Sequence, residues 1–353
     1  MVHNVGIIGT GFGAKVHLPA LIHHPDFKPL VIAGRNKEKA DKVATEYGIK
    51  STTNWKDLLE NDDLDLITVS TPPYLHYEMG KAVLQSGKHL LLEKPTTTNA
   101  AMAKKLVTLA EDKNLIALMA HEFRWVPSRN MLRKLIFEDQ VIGKLREIHF
   151  NQFYGWLASP TNPKFGWLWD SKYDGGMLGA LGSHLIDMIR YITGLEFLEV
   201  QGRIYRRTPL REDNSGKMVK QTADDGFLCE FKMENGVTGV LNASGTVGPS
   251  PPSRLLLSGF EGTIYLEGDD IFVGKQGGEF VKVDILEELL INMEHSKQDH
   301  RIPPFIKLLD QLSKSLQLGK SLSPSIFDGY KNQQVVDAIK QSHKLNTRIT
   351  ILD

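Results

Sequence analysis

Three short stretches carry residue types that could do chemistry. The first, Asn4-Val5-Gly6-Ile7-Ile8-Gly9-Thr10-Gly11-Phe12-Gly13-Ala14, joins an apolar run to Gly9-x-Gly11-x-x-Ala14 and then to a segment that can be helical. In a strand–turn–helix of this kind the first glycine permits the turn. The second lets backbone approach a pyrophosphate, and the small third residue lets the helix pack on the strand. Free N–H groups and a partial positive charge at the helix start suit phosphates, so Gly9, Gly11, Phe12, Gly13 and Ala14 are expected to hold a dinucleotide. The second stretch, Ser70-Thr71-Pro72-Pro73-Tyr74-Leu75-His76, follows an apolar run, and the third, Glu93-Lys94-Pro95, ends another. Strand ends are where a doubly wound sheet builds its crevice, so Thr71, Pro72, His76, Glu93 and Lys94 join the expected cofactor contacts.

A fourth position bears on which dinucleotide. An acid about 20 residues beyond the glycines accepts hydrogen bonds from both ribose hydroxyls of NAD. Here the second apolar run ends in Ala33-Gly34-Arg35-Asn36, with Lys37 and Lys39 close behind. A carboxylate would repel a 2′-phosphate, whereas an arginine pairs with it, so the expectation is NADP in preference to NAD.

These residues need elements to hold them. Apolar runs alternate with helical patterns through the first third of the chain. Val5–Ile8 precedes a helix over 14–23, Leu30–Ala33 one over Lys37–Tyr47, Asp65–Ser70 one over 75–86, and His89–Leu92 one over 99–112. A last run, 115–119, closes the series. Runs that are apolar throughout rather than alternating suit parallel strands covered on both faces. Asn99 reads as an N-cap, and Gly48 and Gly87 as helix stops. The first domain, residues 1–124, is therefore expected to be a doubly wound parallel sheet of Rossmann type.

Composition narrows the class. The 353 residues contain 42 Lys plus Arg and 42 Asp plus Glu, so no global field recruits nucleic acid or an anionic membrane. The single cysteine, Cys229, lies in a strand-like run and reads as a buried small hydrophobe. No signal peptide, membrane-length apolar stretch or metal-ligand spacing is visible, and a cytoplasmic location is the default. His23 and His24 near a helix end read as surface residues rather than metal ligands.

Taken together the motifs resemble the Gfo/Idh/MocA oxidoreductases, of which glucose–fructose oxidoreductase and inositol dehydrogenase are type members. The carrying residues are Gly9-x-Gly11-x-x-Ala14, Thr71-Pro72 with His76, and Glu93-Lys94-Pro95. His121-Glu122-Phe123-Arg124-Trp125-Val126-Pro127 and Gly175-Gly176 through Gly182-Ser183-His184-Leu185-Ile186-Asp187 follow in the family's order. The resemblance implies a C-terminal α/β domain over 125–353 with helices on one face of an open, mostly antiparallel sheet. The last helix would pack back on the first domain, and the open face would build a homodimer or homotetramer. It also implies hydride transfer between NAD(P) and a secondary alcohol of a sugar, cyclitol or related polyol. By the family pattern Lys94 binds the reacting oxygen, His184 is the acid/base residue, Glu93 lies by the nicotinamide ribose, and Lys94-Pro95 is a cis peptide. Arg124, Tyr154 and Trp169 are carried as substrate contacts alongside Lys94 and His184. The chemistry agrees, because a hydride leaves carbon readily only as the hydroxyl proton is removed, which calls for a base and a cation at that oxygen.

One departure stands out. Family members place an aspartate one helical turn before the histidine, on the same helix face; this chain has Ala180 there, and Met177 in place of a third glycine. Either Lys94 and His184 work with water, or another group (Asp174, Tyr154 or Ser183) substitutes, or the protein binds cofactor without turnover. A redox-assisted glycosidase that keeps NAD bound is a further alternative, against which Arg35 argues.

In the second domain 145–154 alternates as a strand, and further strand-like runs occupy Val200–Tyr205, 226–232, 237–244, 254–258, Gly262–Glu267 and 271–273. Asn235-Gly236 reads as a hairpin turn. Between the first strand and the His184 helix lies an irregular stretch with Trp156, Trp167 and Trp169, whose rings would either stack on a sugar or pack the loop onto its domain. Arg206, Arg207, Arg211 and Lys217 read as a solvated excursion. Helical segments near 304–317 and 325–344 finish the chain.

Overall fold

The strand β1 (His3–Ile8) shows how the first sheet is built. Val5 and Ile7 point to one hydrophobic cluster and Ile8 to another, all essentially without solvent exposure. A strand whose successive residues from Val5 onward are buried and apolar can only sit between two covered faces. The computed structural model describes residues 2–352. The chain forms two compact units, Met1–Trp125 with Ile291–Gln333 and Val126–Leu290 with Gln334–Asp353. The second domain expected over 125–353 is thus not continuous.

In the first unit β2 (Phe27–Ala33), β3 (Lys50–Thr52), β4 (Leu66–Val69), β5 (His89–Leu92) and β6 (Ala117–Met119) join β1 in an all-parallel sheet of order β3-β2-β1-β4-β5-β6. That is the Rossmann order with its reversal between β1 and β4. The short edge strand β3 was not read from the sequence, because three half-exposed residues carry no apolar run. The helix expected over 14–23 begins as one wider π turn, Gly13–His17, and continues as α1 (Leu18–His23). Next come α2 (Lys37–Tyr47), α3 (His76–Gln85) and α4 (Ala100–Asp112), the last capped by Asn99 as expected.

The helix Ile302–Leu318 belongs to this unit. Its stripe of Ile302, Phe305, Leu308, Leu309 and Leu312 is fully buried in the cluster that also holds Val5, Ile7, Leu66, Leu91 and Leu118. Each such side chain contributes about 1.5–3 kcal/mol on burial. The periodicity is legible in the sequence; which sheet it covers is not. His24 corrects the surface reading: it is buried, with Nε2 3.1 Å from Asp310 Oδ1 of this helix.

The second unit opens with α5 (Pro127–Arg133) and β7 (Leu145–Phe153), and carries α6 (Ser183–Thr193). Its strands are β8 (Phe197–Tyr205), β9 (Leu210–Glu212), β10 (Met218–Lys220), β11 (Gly226–Met233), β12 (Thr238–Ser244), β13 (Arg254–Gly259), β14 (Gly262–Glu267), β15 (Asp270–Lys275), β16 (Phe280–Val283) and β17 (Ile349–Thr350). Strands β9 and β10 pair with each other, and the rest form one sheet of order β16-β15-β14-β13-β7-β12-β11-β8-β17. Within this sheet, among the described residues, only β7 and β12 pair in parallel. At the β11–β12 turn Asn235 and Gly236 both take positive φ, 58° and 78°, as a tight hairpin requires. Alternate residues (Ile148 and Phe150, Phe227 and Phe231, Leu241 and Ala243) meet Leu185, Ile186, Ile189 and Ile192 of α6 in one core. Cys229 lies there too, its thiol pushed up to about 12 by burial. No described helix is long and apolar enough to cross a membrane.

Two polar groups, the half-buried Asp224 and the buried Arg211, hold the irregular parts of this unit. Asp224 sits at the start of the helical segment that leads into α6. Its Oδ2 accepts the Leu178 N–H at 2.9 Å, and its main-chain oxygen accepts that of Met177 at 3.2 Å. Gly176 lies directly against it, at φ 122°, where a Cβ would come within 2.0 Å of the carboxylate. Arg211 overturns the reading of its loop as solvated. It is fully buried, stacked 3.8 Å from the Trp169 ring, and donates to Leu157, Ser159 and Pro163 carbonyl oxygens and to Gln221.

Two predictions follow from these groups. Arg211→Ala leaves three carbonyl oxygens, that of Leu157 buried, without their donor and should lower the unfolding free energy in urea by about 3 kcal/mol; a loss below about 1 kcal/mol would mean the loop is solvated after all. Asp224→Ala should cost about 1 kcal/mol through the lost cap, with Asp224→Asn close to neutral. Burial raises the Asp224 carboxyl from 3.8 to about 6 in the folded state, against the pull of the Leu178 N–H and Lys340. The native state therefore holds the proton more tightly, and its stability should fall as pH rises from about 4 to 6. That slope should be absent from the Asn variant.

Candidate active site

The glycine turn separates what the protein needs from what a ligand needs. Gly9 has φ 126°, and a Cβ there would lie 2.6 Å from the Ser70 carbonyl oxygen at the end of β4. Gly13 likewise packs on Ser70. Gly11 is different: it is exposed, and a side chain there would meet nothing in the protein. Packing does not demand glycine at 11, whereas a phosphate brought against the backbone does. Phe12 presents its ring edge-on to His17 at 5.5 Å and carries the Arg301 guanidinium 4.7 Å from its centroid. Asp299 fixes Arg301 with two hydrogen bonds, 2.8 and 2.6 Å.

At the end of β2 Arg35 is exposed and makes no ion pair among the described residues. Its neighbours are occupied: Asn36 caps α2 by accepting the Lys39 N–H, and the Lys37 ammonium lies 2.6 Å from Asp41. No carboxylate stands at the strand end itself.

At the ends of β4 and β5 the expected residues come together within the same unit. His76 is fully buried, with Nε2 2.7 Å from the Thr71 carbonyl oxygen and Nδ1 2.8 Å from that of Pro95. It clamps the loop after β4 to the loop after β5. Burial holds its pKa below the ordinary histidine value, with the two carbonyls and Glu93 pulling the other way. Lys94-Pro95 is cis, as the resemblance implied. Glu93 is 5% exposed. Its Oε1 lies 3.0 Å from His17 Nε2, and its Oε2 accepts the Lys94 N–H at 3.1 Å. The other nitrogen of His17 bonds the Thr68 hydroxyl. Burial alone would raise the Glu93 carboxyl; the His17 bond and the Lys94 charge hold it below the ordinary range.

Three residues of this half had no role assigned from the sequence: His17, Glu122 and Arg301. His17 had a readable signal, since a histidine among the buried positions Gly13, Val16 and Leu18 needs a polar partner. Glu122, in the turn after β6, is buried, and burial together with the Glu93 charge raises its carboxyl to about 8. Arg124, expected among the substrate contacts, is buried instead and tied within its unit to Ser323 at 2.6 Å and Asp328 at 3.4 Å.

The second unit holds the other candidates. His184 is the second residue of α6 and 4% exposed, with Ser183 and Asp187 buried beside it. Ala180 sits in the π turn Leu178–Gly182 that precedes the helix; such turns recur at functional sites. Tyr154 follows β7, its hydroxyl pKa raised by burial against the nearby charge of Arg129. Asp174 is engaged by Lys340 at 3.0 Å. Trp169 corrects its expected role: it is 1% exposed and packed under Arg211, which leaves Trp156 and Trp167 as the exposed rings of that stretch.

The comparisons with known proteins agree with this fold. Residues 3–121 match the oxidoreductase family with an NAD-binding Rossmann fold, and residues 131–265 match the C-terminal domain of the same family. An uncharacterised oxidoreductase of Synechocystis sp. is 29% identical, over 99% of this chain and 96% of its own length. Levoglucosan dehydrogenase of Pseudarthrobacter phenanthrenivorans is 27% identical, over 96% of this chain and 95% of its own. A levoglucosan dehydrogenase structure in complex with NADH and L-sorbose superposes with a TM-score of 0.88, at 26% identity over 100% of both chains. The chain belongs to the GFO/IDH/MocA family, and is an oxidoreductase with an NAD-binding Rossmann domain followed by the family's C-terminal domain.

Proposed function

We propose that the protein is a dehydrogenase or reductase that moves a hydride between NADP, used in preference to NAD, and a secondary alcohol or ketone of a sugar-, cyclitol- or polyol-like substrate. The observation that carries this reading is the end of β5. There Glu93 is buried as a carboxylate against His17, and Lys94 follows it on the sheet edge that bears the Gly9–Ala14 turn. Sugar-like substrates are supported by the likeness to levoglucosan dehydrogenase, whose structures include complexes with L-sorbose and levoglucosan. Those structures hold NADH; Arg35, with no acid at the end of β2, is what argues for NADP here.

The bound dinucleotide supplies the hydride acceptor or donor. The chain's own residues do the rest. The Gly9–Ala14 turn receives the pyrophosphate on backbone N–H groups. Glu93, its Oε1 held by His17, accepts from a ribose hydroxyl. The Lys94 ammonium stabilises negative charge on the reacting oxygen, and His184 takes or returns the hydroxyl proton. With Ala180 in the aspartate position, the acid/base role falls to His184 without that partner. The open face of the nine-stranded sheet is the surface we assign to self-association.

Lys94→Ala should lower kcat by about 10²-fold or more while cofactor affinity stays within about threefold; full turnover by this variant on an identified sugar or inositol would overturn the role given to Lys94. NADPH should raise Tm more than NADH does, and Arg35→Ala should erase the difference. Equal shifts in the unaltered protein would remove the NADP reading.

A further inference from the structure

Glu122 is the buried acid that the mechanism above leaves without a task. It lies in the short helical turn Glu122–Trp125 after β6, is 1% exposed, and its Oε2 is buried with no hydrogen-bond partner among the described residues. No ion pair neutralises it among those residues either. The groups that act on it are Glu93 and Lys94 from the end of β5, its own main-chain N–H, and Arg301 from the turn that leads into the helix Ile302–Leu318. Two of these have partners of their own: Glu93 bonds His17 and the Lys94 N–H, and Arg301 is held by Asp299 through two hydrogen bonds. On its own element His121 precedes it, and Arg124 is turned to Ser323 and Asp328. The strand ends thus present two carboxyls in contrasting states, one fully bonded and ionised, the other short of a partner and carrying its proton at neutral pH.

The position of the pair says what could change that state. With the sheet order reversing between β1 and β4, the strands β4, β5 and β6 form the half that takes the second mononucleotide. For a nicotinamide dinucleotide that half receives the nicotinamide, whose ring carries a positive charge when oxidised and none when reduced. A cation brought near a buried carboxyl favours its ionised form. We propose that Glu122 couples proton binding to the oxidation state of the cofactor, carrying its proton beside the reduced ring and releasing it when the oxidised ring binds. The inference rests on the reading of this unit as a nicotinamide site. In the step the Glu122 O–H bond breaks, the electron pair stays on the carboxylate, and the proton leaves to solvent; nothing is oxidised or reduced by it. The consequence is a preference for oxidised over reduced cofactor that grows with pH until Glu122 ionises unaided.

The test measures protons released when NADP⁺ or NADPH, and for coverage NAD⁺ or NADH, binds the full-length protein in weak buffer at pH 7 with an indicator dye. With burial and Glu93 holding the carboxyl at about 8, up to about 0.9 proton should leave per oxidised cofactor bound, and none per reduced one. The Kd of the oxidised form should tighten by up to about tenfold per pH unit between pH 6 and 8, then level off, while that of the reduced form does not tighten. In Glu122→Gln the release and the slope should both vanish with binding retained. Equal release for oxidised and reduced cofactor in the unaltered protein overturns the proposal without any variant. So does equal release by the unaltered and Gln proteins. Binding of neither cofactor would overturn the nicotinamide reading along with it, so the two failures are told apart.

Discussion

A carboxylate buried at the end of a parallel strand costs several kcal/mol of lost hydration unless the protein supplies what water supplied. Glu93 sets that requirement, and much of the first unit answers it. His17 approaches from the π turn after β1, and its second nitrogen is held in turn by Thr68 of β4. The Lys94 N–H closes the other oxygen. His76 joins the loops after β4 and β5, so the backbone that presents Lys94 is fixed from both sides. One acidic side chain thus ties three adjacent strand ends into a single arrangement before any ligand arrives. Preorganisation of that kind is what allows a few charged groups to act on a developing charge without first rearranging.

The second unit uses the same physics with different residues. Arg211 gathers the carbonyl oxygens of a stretch that has almost no regular structure, and its guanidinium plane is supported by Trp169. Asp224 collects the N–H groups at the start of the helical segment that carries His184. Both are polar side chains whose partners are mostly main chain, so they specify the path of the backbone rather than only its stability. Asp174, one alternative for the aspartate missing at position 180, is held by Lys340. What Asp224 provides is orientation of the helix, not a second group on its face.

The parallel sheet was legible because its strands other than β3 carry largely apolar runs, and that pattern has few other meanings. Residues His89–Leu92 and Lys37–Tyr47 match their expected bounds for this reason, with Gly48 and Asn99 marking helix ends. The short strands β3, β9, β10 and β17 were not legible, because runs of two or three residues, mostly polar or exposed, pair only when a neighbour is already in place. The helix Ile302–Leu318 shows a second limit. Its apolar stripe was plain, but periodicity carries no address, and sequence order pointed to the wrong sheet. Arg211, Trp169 and Arg124 show a third. A charged or aromatic residue in a polar stretch has the same local signature whether it faces solvent, substrate or a set of buried carbonyl oxygens; only long-range contacts separate these.

Buried charges in this protein are mostly completed by their surroundings, and Glu122 is informative because it is not. Arg211, Glu93 and Asp224 each have partners that match the geometry of the group. A carboxyl with a buried, unpartnered oxygen is destabilising, and nothing in the local packing requires an acid there, since a glutamine or methionine would fill similar space. Natural proteins break such rules at sites that bind or react, where the missing partner arrives with the ligand. Burial first, and then the ionised Glu93, keep the group protonated against the pull of Lys94 and Arg301. Were Arg301 paired with Glu122 instead of with Asp299, Glu122 would be one more structural ion pair, and its charge would be indifferent to the oxidation state of anything bound nearby.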